Sequence, residues 1–372
     1  MEGNGSIMSL AANLQRLALG GLSQVSAPVL AQVTNIRPAV IEGKRLHPQL
    51  QAFAAIQRKL FPVHRMPVEQ SRGMYRMAMR NFAVAPKRMA LIEELAIPGE
   101  LGLVRARLFV PPGLSTPLPL TVYFHGGGFV LGDVAGYDST CRHIADKARC
   151  AVLSVDYRLA PEHPMPAAVI DAGAVWRYLL SHGKQMGIDT RRMAVAGDSA
   201  GGLLSAMVAQ MARDADVQAP CHQLLIYPAT DGRMNTRSAQ LYAKGFILEK
   251  KLTDWFRAHT AGGLSDDELH HVMPINAARF DGLAPATVVV AGFDPLYDEG
   301  MDYAARLRDA GVPVEIHDHP DMLHGFLTFT GTVLRARQAL DQAIASLHRA
   351  LWSGHTLTAP ARPRAVMVPH SV

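Results

Sequence analysis

Residues 192–202 read RMAVAGDSAGG, a short apolar run that leads into a serine flanked by glycines. Gly197, Ser199 and Gly201 match the pattern G-x-S-x-G, in which a sharp strand-to-helix turn lifts a serine hydroxyl clear of a sheet. We expect side chains at the two glycine positions to collide with the neighbouring strand and helix. The helix after the serine would direct its free N–H groups towards a developing oxyanion. The bare pattern also fits an ordinary turn in which the serine caps the helix, so the surrounding motifs must decide.

A second glycine-rich stretch lies upstream, in LTVYFHGGGFVLG at residues 120–132. Three consecutive glycines follow His125, and their backbone can approach a ligand closely. A tetrahedral acyl intermediate needs two or three N–H donors, and we predict Gly126, Gly127 and Ala200 as those donors. A phosphate-binding loop is the alternative, but the stretch has neither a G-x-G-x-x-G frame nor the Lys-Ser/Thr pair of a P-loop. His125 is interpreted as a structural hydrogen-bonding residue, although its place at a strand end leaves a role as base open.

The predicted base and acid follow the serine along the chain. His324 lies in PDMLHGF, after the last predicted strand, and Asp294 stands directly at the end of the preceding strand, where open α/β sheets place site residues. The order Ser, Asp, His is that of α/β hydrolases. Asp298 and Glu299 fall at the start of the next helix, where they would interact with its N-terminal N–H groups and dipole. We therefore predict that Asp294 orients His324 and that His324 activates Ser199.

A group of acidic and histidine side chains near the predicted base also resembles a metal-ligand cluster. Its members are His317, Asp318, His319, Asp321 and His324. Side chains alternate along a strand, so Asp318 should lie on the face opposite the first two histidines. The spacing H-E-x-x-H of a metalloprotease does not occur. We predict no metal and no cofactor.

Short apolar runs alternate with helical patterns from residue 86 onwards, which predicts an α/β fold with a mostly parallel sheet. Eight strands are predicted, at 89–97, 103–110, 120–124, 151–157, 192–197, 223–228, 286–292 and 314–319. The first two resemble the antiparallel opening of a mixed sheet. Predicted helices fall at 138–149, 167–182, 200–213, 299–310 and 333–351.

Three departures from this alternation set the predicted domain organisation. Residues 1–85 show helical spacing without a strand pattern and are predicted as an N-terminal helical cap segment. The catalytic domain is predicted at 86–352, and the long connection at about 231–285 is read as a cap insertion, because it far exceeds a usual loop. Residues 353–372 lack periodicity and are predicted as a flexible tail.

Composition excludes several classes of protein. The chain has 372 residues, 49% of them hydrophobic, and a formal charge of +5 without a block of like charges, which argues against nucleic-acid binding. Its three cysteines are too few and too scattered for a disulfide framework, so we predict a cytoplasmic protein. An apolar run of transmembrane length is missing from the sequence, and we predict no stable membrane insertion. An amphipathic N-terminal segment could still lie on lipid, although few Lys and Arg residues support this.

Taken together, the motifs resemble the hormone-sensitive-lipase-like family of bacterial and mammalian carboxylesterases. The matching stretches are YFHGGGFVLGD (123–133), DYRLAPEHPMPAAVID (156–171), GDSAGG (197–202), DPLYDEG (294–300) and MLHGF (322–326). The resemblance implies an α/β-hydrolase fold with an eight-stranded, mostly parallel sheet and a helical cap. It also implies a triad of Ser199, Asp294 and His324.

The resemblance further implies hydrolysis of short- to medium-chain acyl esters of small molecules, without a cofactor. Two alternatives stay open. An amidase or peptidase could use the same triad, and a non-catalytic ligand-binding member of the fold could keep the serine while losing the histidine. His324 is present in this sequence, which argues against the second alternative. A homodimer is possible through an exposed edge strand at the end of the sheet.

Overall fold

A computed structural model of the protein describes residues 37–60, 62–271 and 273–353. The amphipathic segment predicted near the N-terminus and the predicted tail, apart from Ser353, lie outside the described residues. No helix within the described ranges is both long enough and apolar enough to cross a membrane.

Eight strands form the central sheet, as predicted. They are β3 (Leu91–Gly99), β4 (Gly102–Val110), β5 (Leu118–Phe124), β6 (Ala151–Asp156), β7 (Ile188–Asp198), β8 (Gln223–Ile226), β9 (Ala286–Phe293) and β10 (Val314–Leu323). Their order across the sheet is β10-β9-β8-β7-β5-β6-β4-β3. β4 pairs antiparallel with both β3 and β6, whereas the other pairs are parallel. The predicted α/β-hydrolase sheet, including its antiparallel opening, is confirmed.

Ten α-helices accompany the sheet in the described part of the chain. They are α1 (Pro48–Leu60), α2 (Val68–Phe82), α3 (Val134–Ala148), α4 (Ala167–His182), α5 (Ala200–Asp214), α6 (Arg237–Leu241), α7 (Lys250–Thr260), α8 (Asp266–His271), α9 (Tyr297–Asp309) and α10 (Leu334–Trp352). The five predicted helices correspond to α3, α4, α5, α9 and α10. Their apolar faces supply the residues that cover the sheet.

Helices cover both faces of the sheet, and the alternation of side chains along each strand supplies two cores. All seven residues of β5 and all eight of β9 are buried, as expected for strands enclosed on both faces. Within β5, Tyr123 packs into the core formed with α3 and α10, whereas Val122 and Phe124 pack into the core formed with α4 and α5. This rigid centre holds the loops at the carboxyl ends of the parallel strands.

The segment before the sheet contains a feature that the sequence did not indicate. Val40–Ile41 (β1) and Lys44–Arg45 (β2) form a two-stranded antiparallel hairpin inside the segment predicted to be wholly helical. α1 and α2 follow it. The region predicted as a cap insertion, 231–285, contains α6, α7 and α8. Both regions contribute residues to the cavities around Ser199, described below.

Candidate active site

Ser199 stands on the sharp turn between β7 and α5. Its backbone has φ 55° and ψ −119°, a strained conformation for a residue with a side chain. A Cβ at Gly197 would overlap the carbonyl of Gly201, and a Cβ at Gly201 would overlap the carbonyl of Phe124 in β5. The predicted collision with a neighbouring strand and helix is therefore confirmed, and only glycine fits at positions 197 and 201.

The structure brings Ser199, Asp294 and His324 together in one hydrogen-bonded chain. His324 Nε2 lies 3.0 Å from Ser199 Oγ, and His324 Nδ1 lies 2.7 Å from Asp294 Oδ2. The other carboxylate oxygen, Asp294 Oδ1, accepts from the Leu296 N–H at 2.8 Å. Asp294 is fully buried and His324 nearly so. The imidazole is therefore held between a hydroxyl and a carboxylate, as a general base needs to be.

The three glycines after β5 do not all face the serine, and one predicted donor is wrong. The Gly126 N–H donates to Asp198 Oδ1 at 2.9 Å, so it is not free to bind an oxyanion. Tyr123 OH donates to the same oxygen at 2.8 Å, and Tyr137 OH donates to Asp198 Oδ2 at 3.0 Å. Burial raises the pKa of Asp198, and these hydrogen bonds oppose that shift. Asp198 thus anchors the glycine loop to the serine turn.

The next glycines have free donors. Within the described residues, the N–H groups of Gly127, Gly128 and Ala200 have no hydrogen-bond acceptor. Gly127 and Gly128 line the same cavity as Ser199 and His324, and Ala200 is the first residue of α5. Two of these three residues, Gly127 and Ala200, were predicted as donors from the sequence, whereas Gly128 was not.

His125 supports this loop and is not bonded to the serine. Its Nδ1 lies 2.9 Å from the carbonyl oxygen of Gly126, and its own carbonyl accepts from Tyr157 OH at 2.6 Å. The imidazole ring stacks on the Tyr157 ring with centroids 4.4 Å apart. His125 therefore has the structural position that the sequence favoured, and the imidazole that contacts Ser199 is that of His324.

Two substitutions of Asp198 test whether its hydrogen bonds or its negative charge stabilise the fold. Asp198→Ala leaves the buried Gly126 N–H and Tyr123 OH without an acceptor, whereas Tyr137 OH can still bond to Tyr75 OH at 2.9 Å. We expect it to lower the free energy of unfolding by about 2–4 kcal/mol. Asp198→Asn keeps an oxygen for the Gly126 N–H, and the tyrosine hydroxyls can rotate to match the amide, so a clearly smaller loss is expected. Urea unfolding of both variants measures this. Equal stability of wild type and Asp198→Ala would contradict the anchoring role.

Two cavities meet at the serine. The first, of about 110 Å³, is lined mainly by apolar side chains of α1, α2 and α7, and we call it the apolar cavity. The second, of about 320 Å³, is also lined mostly by apolar side chains but includes Arg233, Arg257 and Glu299, and we call it the polar cavity. Both are lined by Gly128, Ser199, Leu248 and Phe256. A group bound at Ser199 can therefore extend in two directions, of which the second also leads to Arg233 and Arg257.

Asp298 and Glu299 act differently from the prediction. Their carboxylates do not bond to N–H groups of their own helix, α9. Asp298 Oδ2 accepts from the Ser238 N–H at 2.7 Å, and Glu299 Oε1 accepts from the N–H groups of Thr230 at 2.7 Å and Asp231 at 3.3 Å. Both carboxyl groups therefore tie α9 to the chain that leaves β8.

Burial, together with the nearby charges of Asp231 and Asp294, raises the pKa of Glu299 to about 8, although the hydrogen bonds from the Thr230 and Asp231 N–H groups act to lower it. The unfolded chain releases this proton near the ordinary glutamate pKa of 4.5, whereas the folded protein keeps it up to about pH 8. The stability contributed by this group is therefore fully present below pH 4.5 and is lost as pH rises towards 8.

A Glu299→Gln variant should lose this pH dependence, because glutamine keeps the acceptor and cannot ionise. Between about pH 6 and pH 8, we expect the stability difference to move by about 2 kcal/mol in favour of the variant. Urea unfolding of both proteins at the two pH values measures the change. A difference that stays constant with pH would show that Glu299 is already ionised in the folded protein.

The predicted alternation along the last strand is confirmed. His317 and His319 are buried, whereas Asp318 is exposed and accepts from Tyr297 OH at 3.0 Å. His317 Nε2 lies 2.9 Å from Glu315 Oε1, and His319 Nδ1 lies 3.3 Å from an Arg335 nitrogen. In the parts of the chain that the structure describes, no group of three or more His, Cys, Asp or Glu side chains could hold a metal ion.

Comparisons with known proteins agree with this geometry. A family model described as alpha/beta hydrolase fold matches residues 121–328. Esterase LipI of Mycobacterium tuberculosis is 40% identical over 290 residues, which cover 76% of this chain and 90% of that protein. An ethyl acetate hydrolase of Pseudomonas putida is 31% identical and covers 82% of this chain and 99% of its own length.

Solved structures show the same likeness. An esterase of Pyrobaculum calidifontis superposes with a TM-score of 0.74 at 37% identity, covering 82% of this chain and 98% of its own. An α/β-hydrolase enzyme from the metagenome of Lake Arreo has a TM-score of 0.77 at 36% identity, with coverages of 83% and 98%. The chain therefore belongs to the hormone-sensitive-lipase-like branch of the α/β-hydrolase family.

Proposed function

We propose that the protein is a serine carboxylic ester hydrolase. The observation that carries the proposal is the unbroken chain of hydrogen bonds from Ser199 through His324 to Asp294, at a turn surrounded by unused N–H donors. Esterase and ethyl acetate hydrolase are the names of relatives that this chain matches over most of its length. These names agree with the chemistry of the site.

In the proposed reaction, His324 takes the Ser199 proton as the serine oxygen attacks the ester carbonyl. Asp294 keeps the proton of the imidazole on Nδ1 and stabilises the charged ring that forms. The same ring then protonates the leaving alcohol. A water molecule, deprotonated by His324, attacks the acyl-enzyme and releases the carboxylic acid and Ser199.

The proposed oxyanion donors are the N–H groups of Gly127, Gly128 and Ala200. The Gly126 N–H is engaged by Asp198, whereas these three have no acceptor within the described ranges. Each donor of this kind contributes about 3–4 kcal/mol to lowering the barrier in acyl-transfer enzymes. Ala200 also opens α5, so the partial positive charge of the helix N-terminus adds to the stabilisation.

The acyl chain is proposed to occupy the apolar cavity, with the alcohol part in the polar cavity. Phe53 of α1, Phe82 of α2 and Leu252 of α7 line the apolar cavity, so the N-terminal segment and the insertion at 231–285 would together act as a cap. A cavity of about 110 Å³ favours short- to medium-chain acyl groups over long ones.

Hydrolysis of p-nitrophenyl esters from acetate to palmitate tests the proposal, with matched p-nitroanilides run in parallel. We expect turnover of the short and medium esters, a steep fall towards palmitate, and much slower cleavage of the anilides. Faster cleavage of the anilides would favour an amidase or peptidase. A folded protein that binds the esters without turnover would favour a ligand-binding role.

We also infer a reducing compartment, the cytoplasm, and small molecules as partners. Cys141, Cys150 and Cys221 are free thiols, and burial raises the pKa values of the first two to about 12, which keeps them protonated and unreactive. A homodimer stays a prediction. Light scattering after size-exclusion chromatography measures the molecular mass that decides it.

A further inference from the structure

The apolar cavity continues into a larger groove on the surface. This groove has a volume of about 610 Å³ and lies between α1 with the turn after it and residues 243–254. Gln57, Val63, Ile247 and Leu252 line both the groove and the apolar cavity. An acyl chain that extends from Ser199 through the apolar cavity would therefore reach the groove at the far end of that cavity.

The charge of the side chains that line the groove is mainly positive. Four exposed cations line it, namely Lys59, Arg65, Lys244 and Lys251. Among the described residues, no carboxylate lies within ion-pair distance of these four.

Both carboxylates in the lining are already engaged. Glu249 lies 3.7 Å from Arg58 and accepts from the Gly245 N–H at 2.6 Å, and Asp254 lies 2.7 Å from Lys250. The groove thus presents a net positive surface at the outer end of an apolar passage.

The positive charges also change the pKa of a side chain inside the groove. The pKa of His64 is lowered, first by burial and then by the positive charges of Arg65 and Lys251. A cleft lined by one sign of charge concentrates ions of the opposite sign and can raise association rates about 10-fold or more. An anion held there would replace the missing carboxylate partners.

We propose that this basic groove is an anion-binding subsite, and that the enzyme prefers esters whose acyl chain ends in a carboxylate or phosphate. The inference rests on the proposed ester hydrolysis and names the substrate class for it. The apolar cavity receives the methylenes of the chain, and the groove receives the anionic end. Because the cations are exposed, salt should screen the preference.

The test compares p-nitrophenyl monoesters of α,ω-dicarboxylic acids with p-nitrophenyl alkanoates of equal length, from four to twelve carbons. We expect the anionic esters to have a kcat/KM about tenfold higher at the best length, through a lower KM, and to lose most of that advantage in about 0.5 M NaCl. The length at which the preference is largest reports the reach of the groove.

A double variant, Lys59→Gln with Lys251→Gln, should reduce the ratio of the two esters to near one and leave the neutral ester unchanged. Lys147→Gln with Lys184→Gln is the matched control, because it removes the same charge from exposed positions elsewhere. An equal ratio for wild type and both double variants would overturn the subsite, as would wild type with no preference for the anionic ester.

A binding measurement separates failure of the subsite from failure of the proposed function. Titration calorimetry of octanedioate and of neutral 1-octanol, which has no anionic group to place in the groove, needs no turnover. We expect octanedioate to bind more tightly to wild type and to the control variant, and to lose this advantage in the Lys59→Gln, Lys251→Gln variant. If the two ligands bound equally tightly in each of the three proteins, the subsite would be overturned. Loss of ester turnover alone would overturn only the proposed ester hydrolysis.

Discussion

The Ser199→Ala variant is expected to hydrolyse p-nitrophenyl butyrate about 10⁴- to 10⁶-fold more slowly than wild type, judged by kcat/KM. Without the hydroxyl, His324 has no nucleophile to deprotonate, and the oxyanion donors can only assist direct attack by water. The strained backbone at this position has φ 55°. Alanine has the same Cβ as serine, so the turn should keep its shape and the fold should persist.

Ser205→Ala provides the matched control. Ser205 is buried on α5, the helix that follows Ser199, and its hydroxyl donates to the Gly201 carbonyl at 2.9 Å instead of to a triad residue. We expect it to retain activity within a few-fold of wild type. Circular dichroism melting of both variants checks folding. If Ser199→Ala stayed within tenfold of wild type, another nucleophile would have to be sought.

The second large effect is expected from Asp294→Asn, at about 10³- to 10⁴-fold in kcat/KM. Asp294 accepts on both oxygens, from the Leu296 N–H and from His324. If the asparagine oxygen keeps the Leu296 bond, its NH₂ group faces Nδ1. The imidazole must then carry its proton on Nε2, where it can no longer accept the Ser199 proton.

Asp318→Asn is the control for this substitution. It also removes a carboxylate, on the neighbouring strand β10, but Asp318 is exposed and contacts Tyr297 instead of the triad. We expect the control to keep near-full activity. Steady-state rates with a short-chain ester measure both variants. If kcat/KM fell less than tenfold in Asp294→Asn, the Asp294 carboxylate would not be the group that sets the tautomer of His324.

The sheet could be predicted because its strands are compact apolar runs separated by glycine-rich turns and helical stretches. Burial on both faces makes such runs nearly continuous in hydrophobicity, and all eight were visible. The hairpin Val40–Ile41 and Lys44–Arg45 was missed, because two residues on each side are too few to show a period of two. Its pairing depends on contacts that no local pattern records.

The residues of the site could also be predicted only in part from the sequence. Spacing and chain order were enough to select Ser199, Asp294 and His324. No spacing could show which of three consecutive glycines has a free N–H, because the answer depends on the Asp198 carboxylate that β7 brings beside the loop. Glu299 was misread for the same reason, since its hydrogen-bond partners lie about 70 residues away along the chain.

Phe256 has a consequence for how selectivity can change. Its ring packs directly on Gly128, and it lines both the apolar and the polar cavity. A substitution there alters the space for acyl and alcohol groups together. Phe53 and Met273, in contrast, each border one cavity alone. Substitutions at positions other than Phe256 can therefore change the selectivity for the acyl part and the selectivity for the alcohol part independently.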